Sequence, residues 1–291
     1  MRWIYVVILA AVQGLAELLP ISSSAHVIIT AELLHEDMST PANALLLVML
    51  HTGTMFAVIV YFWRQWVDTF LSSWTAFYRF ARMIFVASFL TGVVGVPLIL
   101  LVEHILSHGN HHAEIEALFN KLNWIAPALA AGGILILYAG LHEARKPDTQ
   151  PTTGHREVTW LQAMVMGIVQ GFAIPFRGFS RSGSTISAGL LAEGERMPTE
   201  SFSFAMVVAI TPLAIAREFY RLVRADAHAG IHLNMAAALA PSLLGMVCAF
   251  LAGLLALKWL SRWLEQGRWY LFGIYCLAAS VVVMMFYLRG W

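Results

Sequence analysis

Glu17, Ser22, Ser23, Ser24 and His26 stand in one short run of an otherwise apolar segment. An ionisable group at membrane depth costs about 2.5–3.5 kcal/mol at a helix centre, so such a cluster points to function. A serine beside a base is the pattern of an activated nucleophile, which suits Ser23 with His26 or Glu17 taking its proton. An attacking His26, or an activated water, would suit the same residues. Glu17 is also a candidate metal ligand, because hard cations take carboxylate oxygens. Gln13 precedes it by one helical turn, so the two share a face and the amide can orient the carboxylate. The plainer reading of Ser22 and Ser24 is that their hydroxyls satisfy a broken helix.

A second stretch answers the first. Ile168-Val169-Gln170-Gly171-Phe172-Ala173 repeats Ala11-Val12-Gln13-Gly14-Leu15-Ala16, an offset of 157 residues that carries Ser23 onto Ser180. There the string is Gly178-Phe179-Ser180-Arg181-Ser182-Gly183. Arg181 offers a planar fork of donors that matches phosphate oxygens. Gly183 lets backbone approach a ligand. Ser184 and Thr185 are expected to open a helix whose N–H groups and dipole favour an anion.

The elements that must position these groups follow from composition. The chain has 291 residues, 59% of them hydrophobic and only 12% charged, where a soluble domain is nearer a quarter charged. The fold class is therefore an all-α polytopic membrane protein. Nothing suggests nucleic acid. Cys248 and Cys276 fall in apolar spans and read as small core residues. The N-terminal stretch runs straight into Gln13 and Glu17 without a small-residue cleavage site, so no removable signal peptide is expected.

Residues 3–19 form an apolar segment slightly short of the roughly 20 needed to span, broken at Pro20 and followed by a short helix near 25–35. That pair reads as a re-entrant hairpin, since irregular backbone at membrane depth must be buried in protein or line a cavity. Fuller spans are expected near 43–63, 82–103 and 123–142, with an interfacial aromatic helix from Trp66 to Arg82. Residues 143–158 are a hydrophilic linker. The second half repeats the plan: a segment at 159–176 broken at Pro175, a short helix at 185–193, and spans near 200–220, 234–257 and 269–288.

Each half, about 1–142 and 159–291, is thus one hairpin plus three crossings. Three crossings leave the second half upside down relative to the first, the inverted repeat found in many transporters with sites near the midplane. Ten basic residues gather on the face bearing the 143–158 loop and six on the other, which makes the first face cytoplasmic and opens hairpin one to the outside. His104, His108, His111 and His112 read as a solvated loop rather than a metal site, and Arg217 and Glu218 as an end-of-span pair.

The motifs Gln13-Gly14-Leu15-Ala16-Glu17-Leu18-Leu19-Pro20-Ile21-Ser22-Ser23-Ser24-Ala25-His26 and Gly178-Phe179-Ser180-Arg181-Ser182-Gly183-Ser184-Thr185 resemble the two signatures of the BacA-type undecaprenyl-diphosphate phosphatases. Leu50-His51-Thr52-Gly53-Thr54 extends the likeness, which runs through nearly the whole chain. The resemblance implies a phosphatase of the bacterial inner membrane that converts undecaprenyl diphosphate to the monophosphate carrier of cell-wall glycans, with a site open to the periplasm. It implies Gln13 and Glu17 as the (Glu/Gln)-x-x-x-Glu motif, Ser23 and His26 as catalytic, Ser24 where Thr or Ser is usual, and Ser180, Arg181, Ser182, Gly183 and Thr185 as the phosphate-binding element. It implies a divalent cation, Mg or Ca, held by Glu17 and the diphosphate, and it is compatible with a homodimer.

Two positions depart from the pattern. Ala25 replaces a glycine, and Phe176-Arg177 separates Pro175 from Gly178, which makes Arg177 a candidate second phosphate contact. The competing reading is a polyprenyl-phosphate flippase or secondary transporter with a midplane polar site. Transport alone needs no nucleophile, so the Ser, His, Glu and Arg set favours phosphoryl transfer.

Overall fold

The computed structural model describes residues 2–37, 40–107, 122–146, 157–229 and 235–289. Among them the secondary structure is entirely helical. In chain order the helices are α1 (Trp3–Leu18), α2 (Ser23–Leu33), α3 (Pro41–Thr69), α4 (Trp74–Ser107), α5 (Leu122–Ala144), α6 (Trp160–Ala173), α7 (Arg181–Leu191), α8 (Arg196–Ala229), α9 (Met235–Glu265) and α10 (Tyr270–Leu288). Windows in α3, α4, α5, α9 and α10 are long and apolar enough to cross a membrane.

α8, expected as a sixth such span, is not among them. Its first turns carry Thr199, Glu200, Ser201 and Ser203, all turned into the protein interior. The expected interfacial helix from Trp66 to Arg82 is also corrected. α3 runs on to Thr69 and α4 begins at Trp74, so the aromatics are shared between two span ends joined by a short turn. Trp74 and Tyr78 there remain largely exposed, as headgroup-level aromatics should be. Residues 108–121 and 147–156, and with them His108, His111, His112 and most of the expected linker, lie outside the described residues.

Both breaks have local causes. Leu19, which precedes Pro20, is forced to extended backbone at φ −72°, ψ 147°, and ends α1. The Ile21 N–H then reaches the Leu19 carbonyl at 2.8 Å, a three-residue turn around the proline. α6 starts in a capping box, the Thr159 hydroxyl and Gln162 side chain exchanging backbone partners, and ends before Pro175. After each break comes a serine at positive φ, Ser22 at 67° and Ser180 at 61°, followed by an eleven-residue helix. Each of those helices ends near another non-glycine residue at positive φ, His35 at 54° and Glu193 at 60°.

The broken segments are gripped by long helices. α1 packs on α9, α6 on α4, α3 on α9 and α5 on α10. Helix association in lipid relies on close packing of small residues rather than on apolar burial. A Cβ on Gly14 would lie 2.6 Å from both the Ala249 carbonyl oxygen and the Ala252 Cβ of α9. A Cβ on Gly171 would lie 2.7 Å from the Val94 Cβ and 2.9 Å from the Thr91 oxygen of α4.

Candidate functional site

The two breaks meet. A Cβ on Gly183, in the first turn of α7, would lie 2.9 Å from Pro20 Cβ and 2.6 Å from Ile136 Cδ1. Glycine at 183 therefore lets the second break pack onto the first. α7 opens at Arg181, four residues before the expected start, because the Ser180 hydroxyl caps it by accepting from the Gly183 N–H at 3.2 Å.

Glu17 is the centre of the site. Its side chain is only 10% exposed. Arg181 donates from Nη2 to Glu17 Oε1 at 2.7 Å, across 164 residues of sequence. Ser23 donates its hydroxyl to Oε2, and Gln13, itself buried, donates from Nε2 to the same oxygen at 3.3 Å. His51 Nε2 of α3 stands 3.9 Å from Oε2. A buried carboxylate of this kind is held by a cation and by hydrogen bonds on both oxygens, which offsets its desolvation. Arg181 keeps 41% of its side chain exposed although it is anchored on Glu17, and its guanidinium carries five N–H donors in all.

His26 lies one turn along α2 from Ser23. Its Nδ1 is 2.8 Å from the Ser22 carbonyl and its Nε2 is 2.7 Å from the Tyr275 hydroxyl. A carbonyl can only accept, so Nδ1 carries the proton and Nε2 is the basic nitrogen of the neutral ring. Ser23 pairs with Glu17, which makes the carboxylate the group placed to take its proton. Non-glycine residues at positive φ cost about 1–3 kcal/mol each and gather at functional sites. Ser22 fits that description, since its conformation aims the carbonyl that sets the His26 tautomer.

The other expected residues are placed less centrally. Ser24 is half-buried in the first turn of α2. Ser182 is buried. Thr185 is fully buried, and its hydroxyl bonds the Arg181 carbonyl at 2.9 Å and the Ser203 hydroxyl at 2.5 Å, behind the cluster. Arg177 is exposed on the turn between α6 and α7. His51, from the Leu50–Thr54 stretch that extends the family likeness, and Tyr275, which no motif marks, also join the site.

Among the described residues no group of three or more His, Cys, Asp and Glu side chains could hold a metal ion. Glu17 offers one carboxylate. That donor set fits a hard cation only in the mode where one carboxylate and substrate phosphate oxygens share the ion.

Residues 6–282 match the family model described as "Bacitracin resistance protein BacA". The chain is 50% identical over 288 residues to "Undecaprenyl-diphosphatase 2" of Acinetobacter baylyi, covering 98% of each chain. It is 33% identical to an "Undecaprenyl-diphosphatase" of Desulfatibacillum aliphaticivorans over 98% of this chain and 99% of that one. A third relative, from Rhizobium leguminosarum bv. trifolii, carries the same name at 30% identity over 98% and 97%.

Proposed function

The chain belongs to the BacA family of bacitracin resistance proteins, and from that premise we propose how it acts as an undecaprenyl-diphosphatase of the bacterial membrane. It hydrolyses undecaprenyl diphosphate to undecaprenyl phosphate and inorganic phosphate. The observation that carries the reading is the joining of Arg181 and Ser23 on one carboxylate, Glu17, at the meeting point of two broken helices.

The free donors of Arg181 hold the diphosphate and neutralise charge that grows as the bridging bond breaks. Ser23 Oγ bonds to the terminal phosphorus while that phosphorus parts from the bridging oxygen. The Ser23 proton passes to Glu17. Undecaprenyl phosphate leaves with the electron pair of the broken bond and, as a phosphate, needs no proton. A water then attacks the phosphoserine, giving its proton to His26 Nε2, while Ser23 Oγ parts from phosphorus with the bonding electron pair and takes back the proton held by Glu17; inorganic phosphate departs and His26 releases its proton to solvent. Glu17 would hold a divalent cation together with the diphosphate, and that ion supplies Lewis-acid neutralisation of phosphate charge. A flippase would have no use for a serine hydroxyl set on a buried carboxylate.

The finer architecture belongs to the same proposal. The two halves form an inverted repeat, a reading supported by the matched pairs Ser22 and Ser180, His35 and Glu193, and by the matched grips on Gly14 and Gly171. The site opens to the periplasm, supported by the bias of basic residues toward the opposite face. All the site residues come from one chain, so a homodimer would leave one complete site in each copy.

Purified protein in detergent micelles should release phosphate from undecaprenyl diphosphate. Turnover that survives undiminished in both Arg181→Ala and Glu17→Ala would overturn these assignments.

A further inference from the structure

Tyr275 stands 249 residues from His26 in sequence, yet its hydroxyl is 2.7 Å from His26 Nε2. The two rings are nearly parallel, 15° apart, with centroids separated by 5.8 Å. The neighbouring Cys276 turns its thiol to the Pro20 carbonyl at 3.1 Å. One turn of α10 therefore holds both the first helix break and the imidazole that follows it.

We propose that Tyr275 is the positioning residue of His26, an inference that rests on the phosphatase reading. Nδ1–H donates to the Ser22 carbonyl, so Nε2 of the neutral ring carries a lone pair, and the only proton that can lie between it and Tyr275 is the phenol's own. The phenol thus donates to Nε2. With the tautomer set by Ser22, this contact and the parallel ring fix the plane of the base. Tyr275 occupies Nε2 until the hydrolytic water takes its place, and it keeps the imidazole aimed along that direction. The proton balance is simple: water gives its proton to Nε2, and the tyrosine keeps its own. Tyr275 is itself 45% exposed, so its hydroxyl has room to yield.

The test compares Tyr275→Phe with Tyr287→Phe, a change elsewhere on α10, in full-length protein releasing phosphate from undecaprenyl diphosphate. Misdirecting a reacting group by about an ångström costs up to roughly a hundredfold. Tyr275→Phe is expected to lower kcat by about ten- to a hundredfold with KM held within about twofold, while Tyr287→Phe leaves both unchanged. Incorporating 3,5-difluorotyrosine at position 275, assayed at mildly acidic pH where the fluorinated phenol keeps its proton, keeps the ring shape and makes the phenol a stronger donor. A positioning role requires kcat to move in a graded way across tyrosine, difluorotyrosine and phenylalanine. A packing role leaves it flat. Wild-type kcat in Tyr275→Phe, or a change confined to KM, overturns the proposal. If Tyr275→Phe does not fold, an unmoved kcat in the difluorotyrosine protein overturns it instead. A wild-type protein that releases no phosphate sinks the phosphatase reading itself, an outcome distinct from an active enzyme indifferent to position 275.

Discussion

Ser23 and Arg181 occupy the same place in two different helices, the first residue of an eleven-residue element after a serine at positive φ, and both bind the carboxylate of Glu17. A nucleophile and a phosphate-holding cation are thus presented by equivalent positions. Substituting Arg181→Lys keeps the charge and loses the planar fork. Phosphate release should then fall by about 10²–10³-fold, the scale of removing one donor from a transition-state cradle. A lysine variant within threefold of wild type would show that charge alone suffices.

Ser23→Ala removes the attacking oxygen. Quenching in neutral detergent denaturant, which preserves both phosphoserine and phosphohistidine, during turnover of substrate labelled in its terminal phosphate should trap label on the wild-type protein and none on Ser23→Ala. Label that persists and maps to His26 would move the nucleophile to the imidazole and leave Ser23 as an orienting group for Glu17.

The breaks are legible in the sequence because proline and serine clusters interrupt apolar runs, and the helix before each break carries the repeated Gln13-Gly14 and Gln170-Gly171. The alignment across the second break is not. The repeat sets Ser23 over Ser180, whereas the structure matches Ser22 with Ser180 as the residues before α2 and α7. Counted from the repeated Gln-Gly, the path to the serine before the next helix is one residue longer in the second half (Gln170 to Ser180) than in the first (Gln13 to Ser22), and Phe176-Arg177 lies within it. That single insertion is what brings Arg181, not Ser180, to the position facing Ser23. His51 lies inside the Leu50–Thr54 stretch that extends the family likeness, but its place beside Glu17 is not legible there, and Tyr275 carries no motif at all. Each role exists only through a partner on another helix. The merging of Trp66–Arg82 into α3 and α4 is equally hidden, since aromatics interleaved with charges suit a span end as well as a surface helix.

Metal dependence separates two uses of Glu17. Chelation with EDTA should suppress phosphate release, and added Mg or Ca should restore it. The donor set of one carboxylate predicts that the ion binds weakly without diphosphate. Calorimetric titration of the apo protein with either cation should therefore show little heat, and strong binding in the absence of diphosphate would contradict shared ligation.

A second charged group secures the far end of α7. Glu143 is buried at the end of α5 and bonds Arg196 Nε at 3.0 Å, while Lys146 Nζ lies 3.0 Å from both Glu143 and Glu193. Burial alone would lower the Lys146 pKa, but hydrogen bonds and charge from Glu143 and Glu193 outweigh it and hold the ammonium above the ordinary lysine value. A raised lysine pKa contributes stability that is fully present below the unfolded value and fades as pH climbs through the folded one. The contribution of this pair to unfolding midpoints in detergent should thus be complete and independent of pH around neutrality, and be lost only in strong alkali. Glu143→Ala leaves Arg196 only its bond to the Glu265 carbonyl and takes one carboxylate from Lys146, and should destabilise by about 1–3 kcal/mol, with kcat of the folded fraction unchanged.

The grips on the two broken helices make the last prediction, because three glycines in similar helices face different surroundings. Alanine is the better helix former by about 1 kcal/mol, so an unconstrained glycine should gain from the change. Gly92 has open space where a Cβ would go, and Gly92→Ala should leave the thermal midpoint unchanged or raise it. Gly14 and Gly171 face backbone and Cβ atoms at 2.6–2.9 Å, distances no real Cβ tolerates. Gly14→Ala and Gly171→Ala should each force α1 from α9 or α6 from α4 and cost about 1–3 kcal/mol, the usual penalty of overpacking. The loss should reach activity as well as stability, since displacing α1 carries Glu17 away from Arg181. Equal midpoints for all three variants would mean that the helices yield without resistance, and the close packing would then not be what holds the two breaks together.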